Sequence, residues 1–250
     1  MAFAVVRITS LATFVVTIDG PAASGKSTVA RLLAKRIEGQ YLDTGAMYRA
    51  VAWAAMEAGV DLRDPQALLA LIDRTDFRFI PGPEGMDVFV NGQDVTDEIR
   101  DPSLTNMVRF VADPPEVRER MVLMQRQFAQ EVDRLVTEGR DQGTVAFPDA
   151  PAKFYLIADP KERARRRQQQ LRDNGIECPL EEIEKAIRDR DKIDQQRHVG
   201  GLRLAPNAVI VDTTSLSAEQ VADLMALLIR QAFGIPEPPI GPGVYEGPGG

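Results

Sequence analysis

The chain has 250 residues, 44% hydrophobic and 27% charged, the balance of an ordinary globular protein. Thirty basic against 37 acidic residues leave a net charge of −7. That excludes a broad nucleic-acid surface, because affinity for a phosphate backbone needs a net basic face, but it leaves open a small polyanionic substrate held by a local basic cluster. A single cysteine, Cys178, and a single histidine, His198, exclude a disulfide framework and Cys- or His-rich metal sites. No apolar run approaches the roughly 20 residues needed to cross a bilayer. A cytoplasmic, monomeric protein with no membrane and no nucleic-acid partner is the corresponding expectation. Of the basic residues 24 are Arg and six are Lys; Arg is the side chain that grips phosphate through a planar fork, although codon bias produces the same excess.

Residues 1–13 are mildly apolar but broken by Arg7, Thr9 and Ser10, which reads as an N-terminal extension rather than a signal peptide. The β-branched run 13–19 predicts a buried strand. Gly20-Pro21-Ala22-Ala23-Ser24-Gly25 breaks it, and apolar spacing over 26–37 predicts a helix. Asp43-Thr44 caps a second, Ala-rich helix to about 58. A short helix at 65–72 leads into strands 77–80 and 87–90, joined by the Gly/Pro-rich 81–85 and followed by the turn Asn91-Gly92, a small antiparallel insert. A long helix at 116–131, strands at 134–138 and 153–158, helices at 161–171 and 180–190, and a last strand at 208–212 complete an alternating pattern. Ser217-Ala218-Glu219-Gln220 forms a capping box that opens a helix to about 233. The tail 234–250 is dominated by Gly and Pro and predicts disorder. Strands alternating with helices predict an α/β fold, a parallel sheet between two helical layers, with ligands at the carboxyl ends of the strands.

Gly20-Pro21-Ala22-Ala23-Ser24-Gly25-Lys26-Ser27 matches G-x-x-x-x-G-K-[ST] in full, after a strand and at the start of a helix. The loop turns backbone N–H groups inward, and the helix N-terminus adds favourable partial charge. Lys26 reaches the β- and γ-phosphates of a nucleotide in such a loop, and the Ser27 hydroxyl ligates Mg²⁺. No guanine-reading Asn-Lys-x-Asp is present. The strand that ends Glu138-Gly139-Arg140-Asp141 suits holding a second anion more than hydrolysing a nucleotide.

Ile18-Asp19-Gly20-Pro21, then Leu42-Asp43-Thr44-Gly45-Ala46-Met47-Tyr48-Arg49, then the run from Glu138 to Ala150 together resemble the bacterial cytidylate kinases, as do Arg190-Asp191, Asp194 through Arg197 and Asp212-Thr213-Thr214. The resemblance implies a P-loop nucleoside monophosphate kinase of three parts, using ATP and Mg²⁺ to phosphorylate CMP or dCMP. It divides the chain into core (14–61, 97–158 and 204–233), an NMP-binding insert (62–96) and a helical LID region (159–203). It implies an ATP site of Gly20, Pro21, Ala22, Ala23, Ser24, Gly25, Lys26, Ser27 and Thr28.

For the acceptor it implies Thr44, Tyr48, Arg49, Arg109, Arg118, Arg140, Asp141, Arg190, Asp194 and Arg197. Arg49, Arg140 and Arg190 take the phosphate through forked hydrogen bonds. Asp141 and Arg118 stand at the cytosine-reading positions, where a carboxylate accepts from the exocyclic amine and a guanidinium donates to ring acceptors; uracil, lacking the amine, leaves Asp141 unpaired. Asp194 and Arg197 stand at the sugar positions. Lys26, Arg140 and Arg190 stabilise the charge that develops during transfer. Arg163 and Arg167, one helical turn apart, either clamp the ATP phosphates or form plain LID surface. Thr44 and Gln142 stand where Ser and Met are usual, Arg109 where a small hydroxyl residue is common. His198-Val199-Gly200-Gly201-Leu202 replaces a more usual Ala-Val-Ala-Pro-Leu, predicting a more flexible loop. Two alternatives remain: a related kinase acting on UMP or AMP, and a regulatory protein that binds ATP without transfer.

Overall fold

The computed structural model describes residues 13–235 except 83, 84 and 174; residues 1–12 of the expected extension, and the expected tail from 236, lie outside the described residues. The chain runs β1 (Phe14–Asp19), α1 (Lys26–Arg36), β2 (Gln40–Asp43), α2 (Thr44–Glu57), α3 (Pro65–Arg74), β3 (Phe77–Gly82), β4 (Gly85–Val90) and β5 (Gln93–Asp94). It continues with α4 (Pro102–Ala112), α5 (Pro115–Gln130), β6 (Arg134–Gly139), β7 (Ala152–Ile157), α6 (Pro160–Asp173), α7 (Leu180–Gln196), β8 (Val209–Asp212) and α8 (Ala218–Phe233).

β1 is an uninterrupted apolar run because it is buried on both faces: Val15 through Asp19 are all buried. It lies at the centre of a five-stranded parallel sheet of order β2-β6-β1-β7-β8. Asp19, its last residue, lies in register with Gly139 of β6 and Tyr155 of β7. The carboxyl ends of β1, β2 and β6 therefore release the chain at one edge, each into residues singled out above. Helices cover both faces. Val29, Leu33 and Ile37 on one side pack with Val221, Met225 and Ile229 of α8 against Val16 and Ile18. On the other side Met47, Val51 and Ala55 of α2 pack on Leu42 and Leu135.

The insert is an antiparallel sheet of order β3-β4-β5. Its inner face (Met86, Val88, Val90) belongs to the same apolar cluster as α2, so it leans on the main body. Asn91 (φ +50) and Gly92 (φ +81) turn β4 into β5 with both residues left-handed, the backbone a two-residue hairpin needs. α6 and α7 enclose a separate small cluster of Ala164, Ile183 and Ile187.

The caps follow the sequence. Asp43 accepts from Ala46 N at 2.9 Å and opens α2. Ser217 and Gln220 exchange both bonds of the capping box, at 2.9 and 3.2 Å. β2, α4 and α7 differ from expectation. β2 is four residues with no turn residue before α2. α4 fills a stretch of the core to which the sequence pattern assigned no element. α7 runs six residues past the expected end, its N-terminal half apolar-spaced and its C-terminal half polar because that half faces the site.

Gly20 leaves β1 at φ +153, and a Cβ there would stand 2.3 Å from the carbonyl oxygen of Leu156 on β7. Gly20→Ala must separate two central strands. It should cost at least about 1–3 kcal/mol and lower the melting temperature by several degrees; an unchanged thermal midpoint in calorimetry would show that the close approach is not binding.

Candidate active site

The phosphate loop wraps from Gly20 to Gly25, which N-caps α1 with φ +88; Ala23 is also left-handed at φ +58. Two non-local anchors hold its backbone. Ala22 N donates to Asp191 Oδ1 (3.0 Å), and Ala22 O accepts from Arg163 Nη1 (3.0 Å), which also reaches Asp191 Oδ2 (2.5 Å). Arg163 and Asp191 are buried. Arg163 is therefore not plain LID surface: it fastens α6 and α7 to the loop. Arg167 is further out, bonded to Gln170 Oε1 at 2.7 Å.

Lys26 is buried, its ammonium donating to Pro21 O (2.7 Å) and Ser24 Oγ (3.4 Å). Burial, then the charge of Arg140 and also of Arg190, lower its pKa to about 7, against the opposite pull of Glu138 and Asp19. Ser27 Oγ donates to Glu138 Oε1 at 2.8 Å. Asp19 accepts from the N–H groups of Gln142 and Gly143, both at 2.8 Å, and burial still pushes its carboxyl up to about 6. These two N–H groups are turned toward Asp19 by a π-helical turn, Gln142–Ala146, which Arg126 braces through the carbonyls of Ala146 (2.8 Å) and Val145 (2.9 Å). Arg126 is thus a strut rather than a solvated face. Gln142 extends the arrangement: its Oε1 accepts from Thr137 Oγ1 (2.9 Å), and its Nε2 reaches Gln125 Oε1 (3.3 Å).

A second set of side chains gathers beside the loop. Thr44 Oγ1 donates to Glu138 O at 2.7 Å. Arg49 Nη2 pairs with Asp43 Oδ2 at 3.2 Å, while its Nε is buried without a bond. Arg140 Nε donates to Asp194 Oδ2 at 2.7 Å, and Arg197 Nη2 to Asp194 Oδ1 at 3.2 Å; Arg197 Nε takes Asp113 at 2.9 Å. Burial raises the Asp194 pKa, but Arg140, Arg197 and Arg190 outweigh it and hold it below the usual carboxylate value. Arg190 is held below the ordinary guanidinium value by desolvation and by the like charge of Arg140, with Arg167 adding to the repulsion. Arg118 makes a buried ion pair with Asp141, Nε at 2.9 Å and Nη2 at 2.5 Å from Oδ2. Tyr48 lies beside it, 5.8 Å from the Arg118 guanidinium to the ring centre, its hydroxyl pushed up to about 12 by burial.

Arg109 is not brought to this pair: its guanidinium lies 4.6 Å over the Phe110 ring, in a cavity of about 350 Å³ lined by Met56, Leu62, Arg63 and Met107. Glu138, Asp43, Asp113 and the loop-anchoring role of Asp191 escaped the sequence reading. The available signal was an acid at a strand end or beside a motif Arg.

The geometry sets the glycine loop at the N-terminus of α1, where free helix N–H groups favour an anion, and beside it cations from the end of β6 and from α7. Among the described residues no group of three or more His, Cys, Asp or Glu could hold a metal ion by itself. Ser27, Glu138 and Asp19 supply hard oxygen donors next to the nest, the donor set that suits Mg²⁺ held jointly by protein and phosphates.

Residues 16–231 match the family model described as cytidylate kinase. The chain is 48% identical over 219 residues to the cytidylate kinase of Geobacillus thermodenitrificans (strain NG80-2), spanning 88% of this chain and 97% of that protein. It is 44% identical to those of Rhodopirellula baltica (87% of this chain, 93% of the relative) and Bacillus subtilis strain 168 (86% and 96%).

Asp191 anchors the loop backbone without reaching the acceptor cluster's base-side pair. Asp191→Asn should therefore raise the KM for ATP by roughly tenfold, the equivalent of about 1.4 kcal/mol, and change the KM for the acceptor much less. Steady-state kinetics with each substrate varied in turn checks this; equal effects on both would contradict the anchoring role.

Proposed function

The chain belongs to the cytidylate kinase family, and from that premise we propose which of its residues carry out each part of the reaction. The enzyme is an ATP-dependent nucleoside monophosphate kinase that transfers the γ-phosphoryl group of ATP to CMP or dCMP, giving ADP and the diphosphate.

The observation that carries the assignment is Lys26, buried in the loop within reach of the charges of Arg140 and Arg190: burial first, then those charges, lower its pKa to about 7. Cations packed this way repel one another until an anion sits among them. The Gly20–Ser27 loop and the N–H of Thr28 hold the ATP phosphates, with the Lys26 ammonium leaving Pro21 O to bridge the β- and γ-phosphates. Mg²⁺, when bound, neutralises charge on the phosphates, and Ser27 is the protein hydroxyl that holds it. Arg49, Arg140 and Arg190 hold the acceptor phosphate in line for attack; the buried, unbonded Nε of Arg49 supports this, being a donor set aside. Alignment and charge stabilisation suffice, because the transferring group needs no covalent catalyst. Asp194 and Arg197 hold the sugar, Thr44 and Tyr48 line the pocket, and Asp141 and Arg118 read cytosine. α6 and α7, joined to the phosphate loop through Arg163, limit access of water to the transferring group. No helix among the described residues is long and apolar enough to cross a membrane; a monomer working in the cytoplasm is part of the same proposal.

ADP release from ATP in the presence of CMP, dCMP, UMP, AMP or GMP tests the assignment. CMP and dCMP should stimulate turnover, and Asp141→Asn should collapse the preference for CMP over UMP. Lys26→Ala should lower kcat by two orders of magnitude or more, the scale of a lost charge-stabilising donor, with the fold intact by circular dichroism. If UMP or AMP outruns CMP, the roles of Asp141 and Arg118 are wrong.

A further inference from the structure

The pair assigned to reading the base is sealed: the side chains of Arg118 and Asp141 are only 4% and 3% exposed. No base reaches them unless something moves. Tyr48 flanks the pair, and the carbonyl of Ala112 accepts from Arg118 Nη1 at 3.3 Å; both belong to packed helices. The loop between α7 and β8 covers it as well. Gly200 there has φ +67, and a Cβ on it would stand 1.8 Å from Arg118 Nε, 2.3 Å from Arg118 Cζ and 2.5 Å from Asp141 Oδ2. The bare backbone of Gly200 therefore rests directly on the ion pair, at a distance no side chain permits. Its neighbour is equally constrained: a Cβ on Gly201 would stand 2.6 Å from Arg197 O.

The loop hangs from one residue. The Asp194 carbonyl accepts from Leu202 N at 2.8 Å, and its Oδ1 accepts from Arg197, so both ends of the loop are tied to it. Its other oxygen, Oδ2, holds Arg140. The arginine expected to meet the acceptor phosphate and the loop covering the base-reading pair thus share a single carboxylate.

We propose that Gly200 sets the affinity for the acceptor: loop 198–202 is a gate seated on Arg118 and Asp141 in the ligand-free enzyme, and the cytosine ring binds where the Gly200 backbone lay. This rests on the reading of Arg118 and Asp141 given above. CMP and the loop compete for the same two side chains. The acceptor phosphate draws Arg140 from Asp194 and loosens the anchor, so that the phosphate opens the way for its own base. Loss of the seated state removes the competitor, because a protein whose binding-competent form is partly populated binds more weakly by that fraction.

Gly200→Ala cannot seat, on both overlap and backbone grounds. In calorimetric titration of the full chain with CMP alone, it should bind at least about threefold more tightly than the parent protein, with discrimination against UMP retained. Equal or weaker binding overturns the gate. Hydrogen exchange on the unmodified protein is the second measurement. Adding CMP should speed exchange at the Leu202 amide, which Asp194 O holds in the seated loop, whereas slower or unchanged exchange there overturns the proposal. Asp141→Asn separates this from failure of the base assignment. If that variant still prefers CMP over UMP, the pair does not read the base; if it loses the preference while Gly200→Ala binds as before, the gate alone is wrong.

Discussion

The mutual repulsion of Lys26, Arg140 and Arg190 is the constraint around which this site is organised. Each comes from a different element: the first turn of α1, the end of β6 and the polar half of α7. A parallel sheet makes their meeting unavoidable, because Asp19 and Gly139 lie in register at the same edge and the chain leaves both strands toward the same crevice. Burial and then the charges of Arg140 and Arg190 lower the Lys26 pKa to about 7, and its ammonium turns back on Pro21 O. A fold that tolerates such a cluster does so because something else holds the cations in position before a substrate arrives.

Carboxylates do this. Arg49 rests on Asp43, Arg118 on Asp141, Arg163 on Asp191, and Arg140 and Arg197 share Asp194. A guanidinium paired this way keeps its place and rotamer, so the ordering cost that binding would otherwise carry is met during folding. The pairs also differ in use. Asp191 grips loop backbone and stays put, while Asp194 is a shared partner from which a phosphate can draw an arginine. The net charge of −7 therefore does not contradict a site made for polyanions. Some of the acids are the resting partners of the arginines, and the excess of Arg over Lys serves their planar, two-pronged geometry.

Much of this was legible in the sequence because it was local. The phosphate loop is a contiguous motif whose glycines answer to backbone geometry, and the β-branched run of β1 and the capping box of α8 each depend on a few adjacent residues. The three long motifs, read together, carried the family and so the acceptor positions. What escaped was non-local or unusually short. β2 has only four residues before α2, too few for an alternation to show. Arg163 has an ordinary helix-surface pattern, and its burial depends on Asp191, 28 positions away. Arg126 has an equally ordinary helix-surface pattern, and the carbonyls it braces belong to a π-helical turn with no sequence signature. Gly200 read as flexibility; its close approach to Arg118 appears only once α5, β6 and the α7–β8 loop are in place.

The most direct test of the electrostatic constraint is Arg190→Met, measured for stability and turnover together. Arg190 is exposed on α7 and feels the like charge of Arg140, so removing its charge should leave the melting temperature of the ligand-free enzyme no lower while lowering kcat/KM for CMP by two orders of magnitude or more. A variant that melts lower and turns over normally would contradict it, because Arg190 would then be a structural residue and the cations would not be waiting for a phosphate.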